Sequence, residues 1–577
     1  MSFDIIKERK IMILTKIPVK KKDDYYLVIT DAYRVGGKVK RRTVRKVGYL
    51  SELKKEYEDP IAHFKEVARE MTEKKKETGG IENVKLDFST IADPSSSFRT
   101  GNLVIQKLLG RFSLDYLFRK KRDETKIRCN LGKVFNFLVV NQILSPSSKL
   151  RAFGGQGEFY GIKNICLHDI YRSLQYIDGI STGIQAKVFE ESGKIVGRNV
   201  SGVYYDCTNY YFEIEVEDEF RKFGFSKEHR PNPIVQMGLF ADADGIPVCY
   251  DLFAGSRNEQ TSMVPLEKKF LSTLSGSNLI VCADAGLCSA NNKYFNSVGN
   301  RDYVFVQSLK KVKGYLDDEI FDPASKKWVA VGEKFRYFVR PINDDIKVTL
   351  AGRGAVSKRH EANIIVTYDR DFDDYLKSVR KKRVEKAMSI IRNPSKYNRE
   401  TSKDGKQYIK DITYDKDGQI VEKKLFLDEG KIRAEEKYDG YYALITSLVD
   451  EDPAKVIRIN KKRWAIEDCF RIMKSYLKAR PVYLSREESI RTHFLVNFVS
   501  LTILKIIQKK LRESMPHEDT TIERIIDSLR MLQATKVTDQ IYVNGNVDEL
   551  ALAICNAFDV DLSPKFLRKN YLNSLLN

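Results

Sequence analysis

The sequence is poor in the patterns that mark metal clusters, disulfide frameworks and membrane spans. Its cysteines, Cys129, Cys166, Cys207, Cys249, Cys282, Cys288, Cys469 and Cys555, are scattered without a C-x-x-C pair, and its six histidines form no H-x-x-x-H or Cys/His cluster. Neither a zinc site nor a disulfide framework is indicated, and reduced cysteines of a cytoplasmic protein are the plain reading. The opening MSFDIIKERKIMILTKIPVKKK has too short an apolar stretch, among too many charges, for a secretory signal. The longest apolar run, Phe494 to Ile507, is interrupted by Asn497, Ser500, Thr502 and Lys505. Those side chains are costly in lipid and suit a buried helix, so no membrane span is expected. No fixed-period repeat or extended low-complexity tract occurs.

A chain of 577 residues is too long for one core, which suggests roughly three or four domains of about 150 residues. The 42% hydrophobic and 31% charged residues supply packed cores and a solvated surface. Lys and Arg outnumber Asp and Glu by 100 to 79, a net charge of +21 that favours a polyanionic partner such as nucleic acid. A basic balance alone does not separate that role from plain solubility.

From Tyr25 to Tyr49, two β-rich runs flank Gly36-Gly37, a hairpin signal. Its second strand carries Lys38, Lys40, Arg41, Arg42, Arg45 and Lys46, which read equally as a phosphate-contacting strip or a lysine-protected edge strand. Residues 60–76 read as a helix before a Gly79-Gly80 linker, closing a basic module over 1–80. Residues 81–199 are mostly helical, a region expected to bind DNA, although a scaffold role fits the same pattern. Residues 200–310 then read as three strands, a helix, a strand, a helix and a strand. That is the order of a ribonuclease-H-like core, in which the first acid lies on the first strand and the second on the fourth, where Asp206 and Asp284 fall. Residues 311–452 look like a β-rich insertion. The core is completed by helices over 453–510, with one long helix expected from about Pro453 to Leu477, and 511–577 reads as a helical tail. The expected fold class is therefore α/β, with a hairpin module and a helical region ahead of an interrupted catalytic core.

The segment RWAIEDCFRIMKSYL carries the most local information. At about 100° per residue, Ile466, Phe470, Met473 and Leu477 form a narrow apolar stripe. Arg463, Glu467 and Lys474 lie together along its edge, a carboxylate between two cations where core meets solvent. An ordinary surface ion-pair row has the same spacing. Trp464 reads as a core residue, which the scarcity of tryptophan favours, or as a platform stacking on a displaced base. Thr208 reads as a packing residue or as support for the site. Asp242 and Asp244 beside Gly245 read as turn formers, and Asp468 points about 100° from Glu467.

This arginine, glutamate and lysine spacing resembles the tyrosine-arginine-glutamate-lysine signature of the IS-four class of bacterial insertion-sequence transposases. Asn460 stands where the signature has tyrosine. YYDCTNYYFE and CADAGLCSANN resemble the family's first two acid motifs, KYDGYYALIT and RPVYLSREESIRTHFLVNFVSLTIL the segments around its final helix. With VGYL and QILSPSSKL they resemble the IS-sixteen-thirty-four-like group over most of the chain.

The resemblance implies a DDE transposase in which Asp206, Asp284 and Glu467 are the catalytic and metal-binding triad. It implies two Mg²⁺ ions, with Mn²⁺ an acceptable substitute, because hard cations about 4 Å apart suit phosphoryl transfer on carboxylates. Arg463, Lys474 and Trp464 become DNA-binding residues. The implied partner is double-stranded DNA, both element ends and target, bound by a homodimer or larger assembly on a prokaryotic nucleoid in the cytoplasm. Two other classes stay open: a copy that binds DNA without cutting, and a different metal nuclease on the same fold.

Overall fold

In the computed structural model of the chain, the described residues are 12–19, 24–35, 38–77, 96–200, 202–271, 279–311, 320–322, 325–350, 354–393, 406–414 and 420–576. They fall into two units, residues 1–92 and 93–577. In the first unit, β1 (Met12–Val19), β2 (Asp24–Val35) and β3 (Lys38–Tyr49) form an antiparallel sheet in that order. The helix Pro60–Glu77 packs Ala68 against Met12 and Ile29. The expected hairpin is present, with Val35 paired to Lys38. Its Gly36-Gly37 turn and the Gly79-Gly80 linker lie outside the described residues. On β3, an edge strand, Arg41, Arg45 and Lys46 are exposed, while the side chains of Lys38, Lys40 and Arg42 are outside the description.

The second unit opens with β4 (Ser97–Arg99) and a series of helices, then builds one nine-stranded mixed sheet. Its strands are β5 (Gly202–Tyr211), β6 (Ile234–Asp242), β7 (Pro247–Ala254), β8 (Leu279–Ala283), β9 (Arg301–Gln307), β10 (Val329–Val331), β11 (Phe335–Leu350), β12 (Gly354–Asp369) and β15 (Tyr441–Thr446), after the hairpin β13 (Ile409–Tyr414) and β14 (Ile420–Leu427). The order across the sheet is β10-β11-β12-β15-β9-β8-β5-β6-β7. β5, β6 and β7 are antiparallel neighbours, whereas β8 runs parallel to β5 and β9 parallel to β8. The segment 311–452 is joined to the core: β15 pairs antiparallel with β9, and the long β11-β12 hairpin continues the sheet beyond it.

Both faces of this sheet are covered, which explains why its central strands read as unbroken apolar runs rather than alternating ones. Val203, Tyr205 and Cys207 join Met263, Leu266 and Phe270 on one face. Tyr204 and Tyr210 join Ile466, Phe470 and Met473 on the other. The helix Glu487–Ser514 is long and apolar enough to cross a membrane, but 94% of its most apolar window is buried in protein. It packs against the helices Leu131–Leu144, Leu167–Asp178 and Ser181–Val196, so an apolar surface on all sides is accounted for.

Beyond residue 511 the chain holds strands as well as helices. β16 (Gln533–Lys536) pairs with β4, β17 (Ile541–Asn544) with β16, and β18 (Phe566–Arg568) with β17. The beginning and end of the second unit thus share one small sheet.

Candidate active site

β5 is buried along its length except at one position. Its ten residues are all buried apart from Asp206, which is partly buried. Alternation places Asp206 and Thr208 on the same face as Tyr204 and Tyr210, the face covered by the helix Trp464–Ser475. β8 ends at Ala283, and the parallel register pairs Tyr205 with Ala283. The next residue after each of this pair is an aspartate, so Asp206, midway along β5, and Asp284, just past the end of β8, are neighbours across the sheet.

Among the described residues, each carboxylate accepts a hydrogen bond only from the amide that follows it: Asp206 from Cys207 N at 2.7 Å, and Asp284 from Ala285 N at 2.7 Å. Burial pushes the Asp206 carboxyl up to about 6; the charge of Asp284 adds to this, while Lys227, the Cys207 amide and Arg463 oppose it. Two adjacent acids with open lone pairs and mutual repulsion are a donor set that a hard divalent cation would neutralise. By that test Asp206 and Asp284 fit a metal.

Glu467 is placed differently. Residues 453–477 form two helices, Pro453–Lys461 and Trp464–Ser475, where one long helix is expected from the sequence. The break is a tightening of the backbone: the amides of Lys462, Arg463, Ala465 and Ile466 each bond the carbonyl three residues back. Ile466, Phe470, Met473 and Leu477 are buried, so the apolar stripe faces the core as its spacing predicts. Glu467 lies in the first turn of the second helix, where the helix dipole favours a negative charge, and its side chain is 55% exposed. Arg463 holds it at 2.9 Å. Among the described residues no three His, Cys, Asp or Glu side chains are grouped as a metal site. Glu467 is therefore paired with Arg463 and is not joined to the aspartate pair.

Arg463 is the link between the two halves. Burial opposes its charge, but Asp284, Tyr442, Glu467 and Asp206 together outweigh that and raise its pKa. Lys474 donates to Thr208 Oγ1 at 2.7 Å and lies 3.5 Å from Glu228. Burial pushes Lys474 down to about 8, with Lys227 adding and Asp206 opposing. Trp464 is 57% exposed, so the core reading of this residue does not hold. Asp468 turns instead to Lys505 at 2.6 Å and Arg471 at 2.5 Å. Asp242 caps its turn by accepting from the amides of Asp244 and Ile246, and Gly245 has φ 74° there.

Four neighbours were not identified from the sequence. Lys227 donates to the Cys207 carbonyl, and Glu228 pairs with Lys474 and Arg480. On β15, the Tyr442 hydroxyl lies against Asn460 and Arg463. Asn460 occupies the signature's tyrosine position, and the phenol that reaches Arg463 comes from the sheet. The tyrosine doublet of KYDGYYALIT was the available signal for it.

The family model "IS1634 family transposase, N-terminal domain" matches residues 14–84, and "Transposase DDE domain" matches residues 212–503. Among solved structures, the chain is similar to a piggyBac transposase synaptic complex with hairpin DNA, at 9% identity and a TM-score of 0.36, covering 84% of this chain and 86% of that one. It is also similar to a Mos1 transposase paired-end complex with left transposon end, at 10% identity and a TM-score of 0.13, covering 39% of this chain and 64% of that one. Both TM-scores are too low for the likeness to establish a fold. No curated protein matches the chain. The two family models together cover most of the first unit and the nine-stranded sheet from β6 onward, with the second of them matching about half of the chain, and the chain belongs to the DDE transposases of the IS1634 family.

Proposed function

We propose that this transposase cuts DNA at insertion-sequence ends and joins the released 3′-hydroxyl to target DNA, with Asp206, Asp284 and Glu467 as its catalytic carboxylates. The observation that carries the reading is the pair Asp206 on β5 and Asp284 just past the parallel strand β8, with no cation bonded to either among the described residues. Three antiparallel strands followed by two parallel ones, with one acid on the first and the other directly after the fourth, support a ribonuclease-H-like core.

Divalent cations, Mg²⁺ in this reading, would supply an activated oxygen nucleophile and neutralise charge on the phosphate and leaving oxygen. Asp206 and Asp284 would hold them, with Glu467 as the third ligand once Arg463 releases it. Arg463 then has a free planar fork for a DNA phosphate, and Lys474 contributes a point charge beside Thr208. Trp464, exposed on the same helix, can stack on a base displaced near the cut. Two DNA ends call for a dimer or larger assembly, working on the nucleoid in the cytoplasm.

The test is cleavage of a duplex carrying the element's own terminal repeat in Mg²⁺, comparing the natural chain with Glu467→Gln. Glutamine keeps the shape and removes the charge. Cutting at the repeat boundary by the natural chain alone supports the triad. Equal cutting by both removes Glu467 from it, and binding without cutting by both turns the reading into a DNA-holding protein.

A further inference from the structure

A cavity of about 220 Å³ opens between the segment 146–149 and the segment 478–484. At roughly 30 Å³ per water it has room for about seven waters, far less than a duplex needs. Its walls hold three cationic side chains, Lys149, Lys478 and Arg480, and no carboxylate.

Lys149 is the unusual member. It is only 7% exposed, and among the described residues no carboxylate lies within 4.0 Å of its ammonium. Its one polar partner there is His493 Nδ1 at 3.4 Å. His493 Nε2 lies 3.1 Å from the Ala479 carbonyl and 3.3 Å from Asn497 Nδ2; donation to the shorter of the two, the carbonyl, leaves Nδ1 to accept from Lys149 and the ring neutral. Burial, followed by the charge of Lys149, holds His493 down at about 3, consistent with that tautomer. The histidine therefore orients the ammonium without neutralising it. Burial also pushes Lys149 itself down to about 8.

A second group in the same wall lacks a partner. Gln142 is 2% exposed, its Nε2 donates to the Leu477 carbonyl at 2.5 Å, and its Oε1 has no hydrogen bond. A buried cation without a counter-ion and an amide oxygen without a donor are both expensive to keep unless a ligand completes them. A phosphate diester does so for the cation: its anionic oxygens pair with Lys149, and a bound water donates to Gln142.

A relay of paired side chains leads from the cavity wall toward Asp206. Arg480 pairs with Glu228, Glu228 with Lys474, and Lys474 bonds Thr208, two residues from Asp206. We infer that this cavity is a subsite for one backbone phosphate of an unpaired DNA strand, held by Lys149 with Gln142 and Arg480. The inference rests on the proposed DNA-cutting function. It adds that a strand leaving the catalytic site unpairs there, because a buried ammonium is out of reach of a rigid duplex.

The experiment measures DNA affinity against salt for the natural chain and Lys149→Met. The probes are a random-sequence blunt duplex and the same duplex with a single-stranded 3′ extension. For the natural chain, the slope of log K against log salt is expected to be steeper on the extended DNA by about 0.7, one single-strand phosphate. Lys149→Met should lose that increment while keeping its binding to the blunt duplex, with a Tm no lower than the natural chain's because an unpaired buried charge has been removed. A second arm leaves the protein unaltered: neutral methylphosphonate linkages in the extension should abolish the increment. Equal slopes on the two probes, or a folded Lys149→Met with the natural increment, overturn the subsite. Stabilisation by inorganic phosphate with no effect of the extension would assign the cavity to a free anion and also overturn it. A natural chain with no salt-dependent binding to either probe sinks the DNA-cutting reading itself, a separate outcome.

Discussion

The two kinds of carboxylate in this site are held in opposite ways. Asp206 is fixed by a strand whose every other residue is buried, with sheet partners on both sides. Glu467 rides on the exposed edge of a helix and is bonded to Arg463, four residues earlier. The strand side is preorganised and bears an electrostatic cost, whereas the helix side is neutralised in place and must change partner. On the proposed function, such a site is half assembled by folding, and the remainder is completed by a ligand that competes for the glutamate or the arginine.

The most severe test of the rigid half is Asp206→Asn. Cleavage should fall by about a thousandfold, since a metal ligand and its charge go together. The same substitution should stabilise the metal-free protein at neutral pH. The folded carboxyl is raised to about 6 from an ordinary 3.8, so its contribution to stability is fully present below 3.8 and is lost as pH rises through 6. Two pH units correspond to about 3 kcal/mol at most. Thermal melts should show Asp206→Asn gaining on the natural chain between pH 4 and pH 7.5, and Mg²⁺ should close that gap by stabilising only the natural chain. A pH-independent difference would mean that Asp206 carries no burial penalty.

The helix side is tested through its arginine. Arg463→Gln frees Glu467 and removes the cation that offsets Asp284, Glu467 and Asp206 together. If Arg463 orients the glutamate and grips phosphate, cleavage should fall by about ten- to a hundredfold, with weaker DNA binding. If it only restrains the glutamate, cleavage at saturating DNA should rise, and the comparison between a fixed half and a movable half would be sharpened.

Much of the rigid half could be read from sequence because its signal is local. VSGVYYDCTNYY and LIVCADAGL are apolar runs, each with an acid in or at the end of a buried strand, and helical spacing alone identifies the face carrying Glu467. What could not be read depends on distant pairings. β15 joins β9 across more than a hundred residues, and no periodicity in either strand announces the partner. The break at Lys462-Arg463 has neither proline nor glycine to mark it. Lys227 and Glu228 lie in the loop between β5 and β6, and only the folded chain brings them to Thr208 and Lys474.

Tyr442 joins the comparison as a residue that touches both halves. Its hydroxyl lies against Arg463 and Asn460, and Asp284 is close enough to influence it. Tyr442→Phe keeps the ring on β15 and removes only that hydroxyl. A loss of about tenfold in cleavage, with the melting temperature little changed, is the expected result for a group that positions the arginine. An equal loss of stability would make the hydroxyl a packing element instead.

The smallest expected effect on folding is at Trp464. With 57% of it exposed and a place in the first turn of its helix, Trp464→Ala removes little buried surface, so stability should change by no more than about 0.5 kcal/mol. Affinity for DNA with an unpaired strand should nevertheless drop by about 1 kcal/mol, the low end for one stacked base on an open platform, while duplex affinity is retained. Equal losses on both DNAs would point to a packing role against the phosphate backbone. Loss on the unpaired strand alone would make the helix that carries Glu467 the side of the site that reads strand opening.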